Sequence, residues 1–415
     1  MKCMKSLAVL VSFACAVSAI PAQTRLTVQD AVLLDNQQAT PDGFDVDLAA
    51  LRLVQIEGQS PVWMTELEKI HAKAQGIKFF DITESQDLGS AAHLRPQFNF
   101  FPAPNATEQV KGVISTLSTE GPKANLEKFT SFRTRYYRSD SGRESQKWLS
   151  SRISEITAAS APEGLRELIS ISEFPHSWGQ NSIIVRINGS APIDDSVIII
   201  SAHQDSTNLW PFLPAPGADD DGSGTVSILE AYRGLLVSNF RPVQNVEFHW
   251  YSAEVRVSSC ILYAEILMSS QEGGLLGSQA VARDYEARSV NVIAMSQFDM
   301  TAWVKRGTRE EVGIVTDYVD DSLSNFNKQL VEAYLDIPYV NTKCGYACSD
   351  HASWGKAGYP SSFTIESTFE NSNKNIHSAN DRIDISDEFS FTHMLEFSKL
   401  AAAFAIELGG WKESN

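Results

Sequence analysis

The chain has 415 residues, enough for two or three ordinary domains or for one large domain with extensions. A hydrophobic content of 43% supplies a sizeable core. A formal net charge of -17 argues against a nucleic-acid partner, which needs a basic face, and fits a soluble secreted protein.

The chain opens MKCMKSLAVLVSFACAVSA, with two lysines, an apolar run from Leu7 to Val17 and small residues at Val17-Ser18-Ala19. That order predicts a secretory signal over 1–19, cleaved after Ala19, and an extracellular protein. The run is too short to span a bilayer. No other stretch approaches the ~18 apolar residues a membrane helix needs, so no membrane partner is expected. Residues 20–87 differ from the rest and read as a pro-region, or else as an N-terminal extension of the larger domain. They hold TELEKIHAKAQG, in which Thr65 and Glu68 form a capping box, Leu67, Ile70 and Ala74 share a face, and Gly76 can stop the helix.

From about Phe98 helices and strands alternate. NLEKFTSFRTRYY and ESQKWLSSRISEI read as helices, and SIIVRI, SVIIISA, VEFHWYSA, SVNVIAMSQFDM and SSFTIES as buried strands. Apolar strands separated by helices predict an α/β fold, a three-layer αβα sandwich around a mixed, mostly parallel sheet, forming one domain over 88–415. Asn105-Ala-Thr and Asn188-Gly-Ser are glycosylation acceptors by pattern. Once the signal is removed, Cys260 stands alone. Cys344 and Cys348, four apart in CGYAC, can pair as a disulfide in an oxidising compartment, free thiols being the alternative.

The ionisable residues fall just after the strands, where open α/β sheets build their sites. His203-Gln-Asp205 follows SVIIISA, and the pair can act as a metal ligand and its orienting carboxylate. By itself such a pair is a weak signal. Asp219, Asp220 and Asp221 follow in a glycine-flanked turn that leads into a helix with Val226, Leu229, Tyr232 and Leu236 on one face. Three adjacent carboxylates repel one another unless solvent or a cation intervenes. Glu254, Glu272, Asp299 and His377 complete the set. Nitrogen and oxygen ligands without thiolate suit zinc, with manganese or cobalt as alternatives. A shared aspartate fits a two-metal hydrolase, which then needs a glutamate to deprotonate water.

The motifs AHQDS, PGADDDGSG, YSAE with EGGLLGSQ, SQFDMT, CGYACSDHASW and IHSANDRID together resemble the secreted co-catalytic di-zinc aminopeptidases, most closely the fungal leucine aminopeptidase group. The likeness covers about Phe98 to Leu408. It implies two zinc ions per chain, one held by His203 and Asp299, the other by Glu272 and His377, with Asp220 bridging. Asp205 would orient His203, Asp221 would support the bridge and Glu254 would be the general base. Tyr346 would contact the substrate oxyanion, and Cys344–Cys348 would be a disulfide. Met300, Phe363, Ile365, Phe369 and Ile376 would line an apolar pocket for the first side chain of a peptide with a free N-terminus. A monomer and an inhibitory pro-region are expected on the same ground.

One feature departs from that family. Its two glutamates are adjacent, whereas here seventeen residues, Val255 to Gln271, separate Glu254 from Glu272. Removing them restores WYSAEEGGLLGSQ. Every valine codon begins GT and one glutamine codon ends AG, the usual intron borders, so 255–271 reads as a retained intron. A genuine loop with closed ends is the alternative. A shift that places Gln271 in the base position would leave a zinc-binding but catalytically impaired protein. Glu265, in Tyr-Ala-Glu, sits in the wrong downstream context to replace Glu254. Carboxypeptidase or cyclase chemistry at the same kind of site stays open on fold alone.

Overall fold

The computed structural model describes residues 41–56, 58–75, 77–95, 100–190, 195–254, 257–258, 269–270 and 274–412, all within one compact unit. The expected signal over 1–19, Gly76, Glu265, Gln271 and Glu272 lie outside the described residues.

The N-terminal part is a small antiparallel sheet of β1 (Leu51–Ile56), β2 (Val62–Thr65) and β3 (Phe79–Asp81), in the order β2-β1-β3. Between β2 and β3 runs α1 (Glu66–Ala74). It starts with the expected capping box: Glu68 N donates to Thr65 Oγ1 at 3.1 Å and Thr65 N to Glu68 Oε2 at 2.7 Å. The sequence reading found this helix and missed the sheet. In β1 Val54 alone is buried, so the apolar alternation that marks a strand is faint.

The remainder runs in order as α2 (Thr107–Ile114), α3 (Glu120–Phe129), α4 (Asp140–Ser160), α5 (Glu163–Arg166), β4 (Ile169–Phe174), β5 (Ser182–Ile187), β6 (Val197–His203), α6 (Gly224–Val237), β7 (Asn245–Tyr251), β8 (Val257–Ser258), β9 (Ser269–Ser270), α7 (Leu276–Ala287), β10 (Val292–Phe298), β11 (Val312–Val315), α8 (Asp321–Tyr334), β12 (Tyr339–Thr342), α9 (His351–Lys356), β13 (Ser361–Ile365) and α10 (Phe391–Gly409). Eight strands form one sheet in the order β12-β11-β13-β10-β6-β7-β5-β4. The four central strands, β13-β10-β6-β7, are mutually parallel. Antiparallel pairs join β11 to β13, β5 to β7 and β4 to β5.

The side-chain period of a strand explains the layers. In β6, Ile198, Ile200 and Ala202 pack into a core with α4, α6 and α10, while Val197 and Ile199 pack into a second core with α7 and Trp354 of α9. Both faces are covered, as expected of a three-layer sandwich. Of the helix expected over NLEKFTSFRTRYY, the structure keeps only the part to Phe129. Beyond it Thr134 forms a parallel bridge to Ala215, and Ala215 N donates to Arg133 O at 2.9 Å, so tertiary pairing takes the backbone away from the helix.

Candidate metal centre

The parallel strands deliver the predicted residues to one edge of the sheet. His203 ends β6, Glu254 lies three residues past β7, and Asp299 follows β10 directly. Asp219 to Asp221 form an irregular turn that leads into α6, with a cis peptide between Asp220 and Asp221.

The atoms converge closely. Asp220 Oδ1 is 3.1 Å from His203 Nε2, and Asp220 Oδ2 is 2.6 Å from His377 Nε2. His203 Nε2 lies 3.7 Å from Asp299 Oδ1 and 3.6 Å from Glu254 Oε2. His203 Nδ1 faces Asp205 Oδ1 at 3.5 Å, and that same oxygen accepts from Glu254 N at 3.2 Å. Asp221 turns its oxygens to the backbone, accepting from His203 N at 3.1 Å, Gly224 N at 2.8 Å and Met300 N at 3.2 Å. His203, Asp221 and Asp299 can also face one cation together. The backbone donors already on Asp221 fit it better as a support.

The donor set fits zinc. Ligand atoms at 2.0–2.1 Å from a tetrahedral zinc lie about 3.3 Å from one another, close to the spacings around His203. Asp205, Asp220 and Asp221 are buried with no lysine or arginine ion partner among the described residues. Burial opposes a charged His203, yet Glu254, Asp299 and the hydrogen bonds to Asp205 and Asp220 outweigh it and raise its pKa well above the usual value. Burial and then Asp299 push Asp221 up as well. A divalent cation would balance the carboxylates gathered here, and its binding favours the deprotonated form of each ligand.

The backbone is strained at the same place. Ala253, Met300 and His377 hold φ of 58°, 56° and 59°, conformations that cost of order 1–3 kcal/mol each. Surrounding bonds impose them: Leu276 N donates to Ala253 O at 3.1 Å, Glu366 N to Met300 O at 2.8 Å, and Leu209 N to His377 O at 3.1 Å. The first of these spans the interruption, so the two halves of the split motif meet in space. The two-stranded ladder β8–β9 pairs Val257 with Ser270 inside it.

Met300, Phe363, Ile365 and Tyr346 form one buried cluster with Val315 and Cys348, and Phe369, Ile376, Val319 and Cys344 pack against it. All five predicted pocket residues thus lie together beside Tyr346. Cys344 and Cys348 are disulfide-bonded. Asn105 and Asn188 are exposed. The sequence reading missed several supports. Ser349 Oγ donates to Asp299 Oδ2 at 2.7 Å. Asp381 accepts from Asp219 N at 3.0 Å and from Asp220 N at 3.1 Å. Asp381 stood within the quoted IHSANDRID, so the motif held the signal and only the role escaped notice.

The profile of peptidase family M28 matches residues 182–402. The leucine aminopeptidase 1 of Colletotrichum graminicola is 45% identical over 368 residues, 86% of this chain and 85% of that protein. The leucine aminopeptidase 1 of Coccidioides posadasii is 42% identical over 419 residues, 98% of this chain and 99% of that protein. Among solved structures, the LapA aminopeptidase of Legionella pneumophila superposes with a TM-score of 0.71 at 28% identity, over 87% of this chain and 94% of that one.

Proposed function

Because the chain belongs to peptidase family M28, we propose that it is a secreted di-zinc aminopeptidase that releases leucine and other apolar residues from peptide N-termini. The observation that carries this reading is the carboxylate of Asp220, whose two oxygens face the imidazoles of His203 and His377. His203 and Asp299 would hold one ion, His377 and Glu272 the other, and Asp220 both. The ions would supply Lewis acidity, polarising the scissile carbonyl and acidifying water. Glu254 takes the proton of the attacking water and returns it to the leaving amine. Its backbone is fixed by Asp205, which also orients His203. Tyr346 donates to the developing oxyanion, and the cluster around Met300 and Phe363 accepts the apolar side chain.

The N-terminal segment is read as an inhibitory pro-region. His203, Asp220, Asp299 and His377 are all buried. Lys78 Nζ stands 4.1 Å above the Tyr346 ring, and His71 packs edge-on to Trp210 at 5.4 Å between centroids. Trp210 sits next to Leu209, which is bonded to His377. Contacts on both sides of the site support a cover that must leave before a peptide enters. Residues 255–271 are read as a retained intron. The bond from Leu276 N to Ala253 O holds the flanks together, as a direct joining of the two halves needs, and a genuine loop with closed ends would show it too.

The test is hydrolysis of leucine p-nitroanilide by the protein freed of its N-terminal segment, with and without 255–271. The reading expects hydrolysis by the shortened protein, loss with a chelator and recovery with zinc. A shortened protein that holds zinc but leaves the anilide intact overturns it. Equal activity of the chain with 255–271 in place overturns the intron reading alone.

A further inference from the structure

Arg135, in the connection between α3 and α4, is a fully buried cation outside the proposed chemistry. Its guanidinium makes three hydrogen bonds, all to backbone carbonyls: from Nε to Gln204 O at 2.8 Å, from Nη2 to Gly217 O at 2.9 Å, and from Nη1 to Pro216 O. Its Cζ lies 4.1 Å from the centroid of the Phe129 ring. The main chain of Arg135 enters the same junction. Its N donates to Ser206 Oγ at 3.0 Å, and Ser206 Oγ donates to Ala215 O at 2.7 Å. Its O accepts from Gln180 Nε2 at 3.0 Å, while Gln180 Oε1 accepts from Ser252 Oγ at 2.7 Å.

Gln204 follows His203, Gly217 precedes Asp220 by three residues, and Ser252 precedes Glu254 by two. The chain after β6 and the turn before α6 therefore meet on one side chain, and the chain after β7 joins its peptide group through Gln180. Gly217 has φ of +57°, and a Cβ there would collide with Ser206 Cβ and approach Arg135 Nη2 to 2.9 Å. The turn is shaped to admit the guanidinium. Burial pushes the Arg135 pKa down to about 10, with Asp381, Asp205, Asp221 and Asp220 favouring the charge, so the group is still cationic at neutral pH.

We propose that Arg135 is a positioning residue whose planar fork clamps the loop of His203 to the turn of Asp220 and thereby sets zinc affinity, an inference that rests on the di-zinc reading. The fork matters more than the charge, since its hydrogen bonds go to carbonyls rather than to the carboxylates. A lysine keeps the charge but cannot span three carbonyls in one plane.

The test measures zinc affinity of chelator-stripped wild type, Arg135→Lys and Arg135→Met by competition with a chromophoric chelator, alongside the Tm of each metal-free protein. Both variants should bind zinc about 10–100-fold more weakly, the range seen when a group that orients ligands is lost. Wild-type affinity in Arg135→Met, or full recovery in Arg135→Lys, overturns the clamp. Should Arg135→Met fail to fold, Arg135→Lys decides: weakened zinc binding supports the clamp and wild-type affinity overturns it. A wild type that holds no zinc overturns the di-zinc reading and the clamp with it.

Discussion

At the scale of single residues, the site is divided between groups that spacing reveals and groups that it hides. His203, Glu254 and Asp299 were legible because each stands at or just beyond a strand end, where chemistry in an open sheet collects, and Asp220 because it sits among three successive aspartates in the turn before α6. Arg135 and Ser349 were not, because each acts through bonds to residues 50 or more positions away. No local period encodes such partners. The division gives a prediction for Glu254, which under the proposed function takes the proton of the reacting water without holding metal. Glu254→Gln should lower kcat by about 10²–10⁴-fold, the usual worth of a general base, with zinc content unchanged. Loss of zinc in step with activity would instead make Glu254 a ligand.

At the scale of elements, α1 shows what local sequence can and cannot specify. The capping box was readable, since its two partners lie three residues apart. The sheet beside it was not, nor was the ion cluster that holds the two together. Lys69 Nζ lies 2.9 Å from Asp81 Oδ2 on β3 and 3.0 Å from Glu66 Oε2, and Arg52 Nε of β1 lies 2.7 Å from Glu66 Oε2. Burial alone would raise both carboxyls, but Lys69 holds Asp81 below its usual value, and Lys69 with Arg52 does the same for Glu66. Burial opposes the Lys69 charge, and the two carboxylates outweigh it and raise its pKa. Depressed carboxyls contribute stability above their unfolded values of about 4, and lose it as pH falls through the folded values. The raised lysine contributes below about 10.4 and loses its share only in alkali. The N-terminal unit should therefore hold at neutral pH and loosen in acid. Protection against hydrogen exchange in 41–95 should fall as pH drops below about 4, ahead of protection in the central strands. Simultaneous loss in both would place the acid-labile groups elsewhere.

The whole molecule grows from one pattern, strands apolar on both faces with helices between them, and that pattern was plain in the sequence. The strand order was not, because β11 and β12 are short and their places depend on contacts far along the chain. Residues 255–271 test how far this frame is independent of them. Their flanks are joined by Leu276 N and Ala253 O, and Gly277 packs against Ser252 so closely that a Cβ would overlap its carbonyl. On the intron reading, deleting 255–271 should leave the Tm equal or higher, since the flanks are already joined to each other and a shorter connection costs less closure entropy. A large fall in Tm would show that the segment is part of the fold. The central claim is that Asp220 serves two ions at once. It is tested most directly by counting zinc per chain after exhaustive dialysis, in the wild type and in Asp220→Asn. The account predicts two ions in the wild type and at most one in the variant. One ion in the wild type, or two retained by Asp220→Asn, would contradict it.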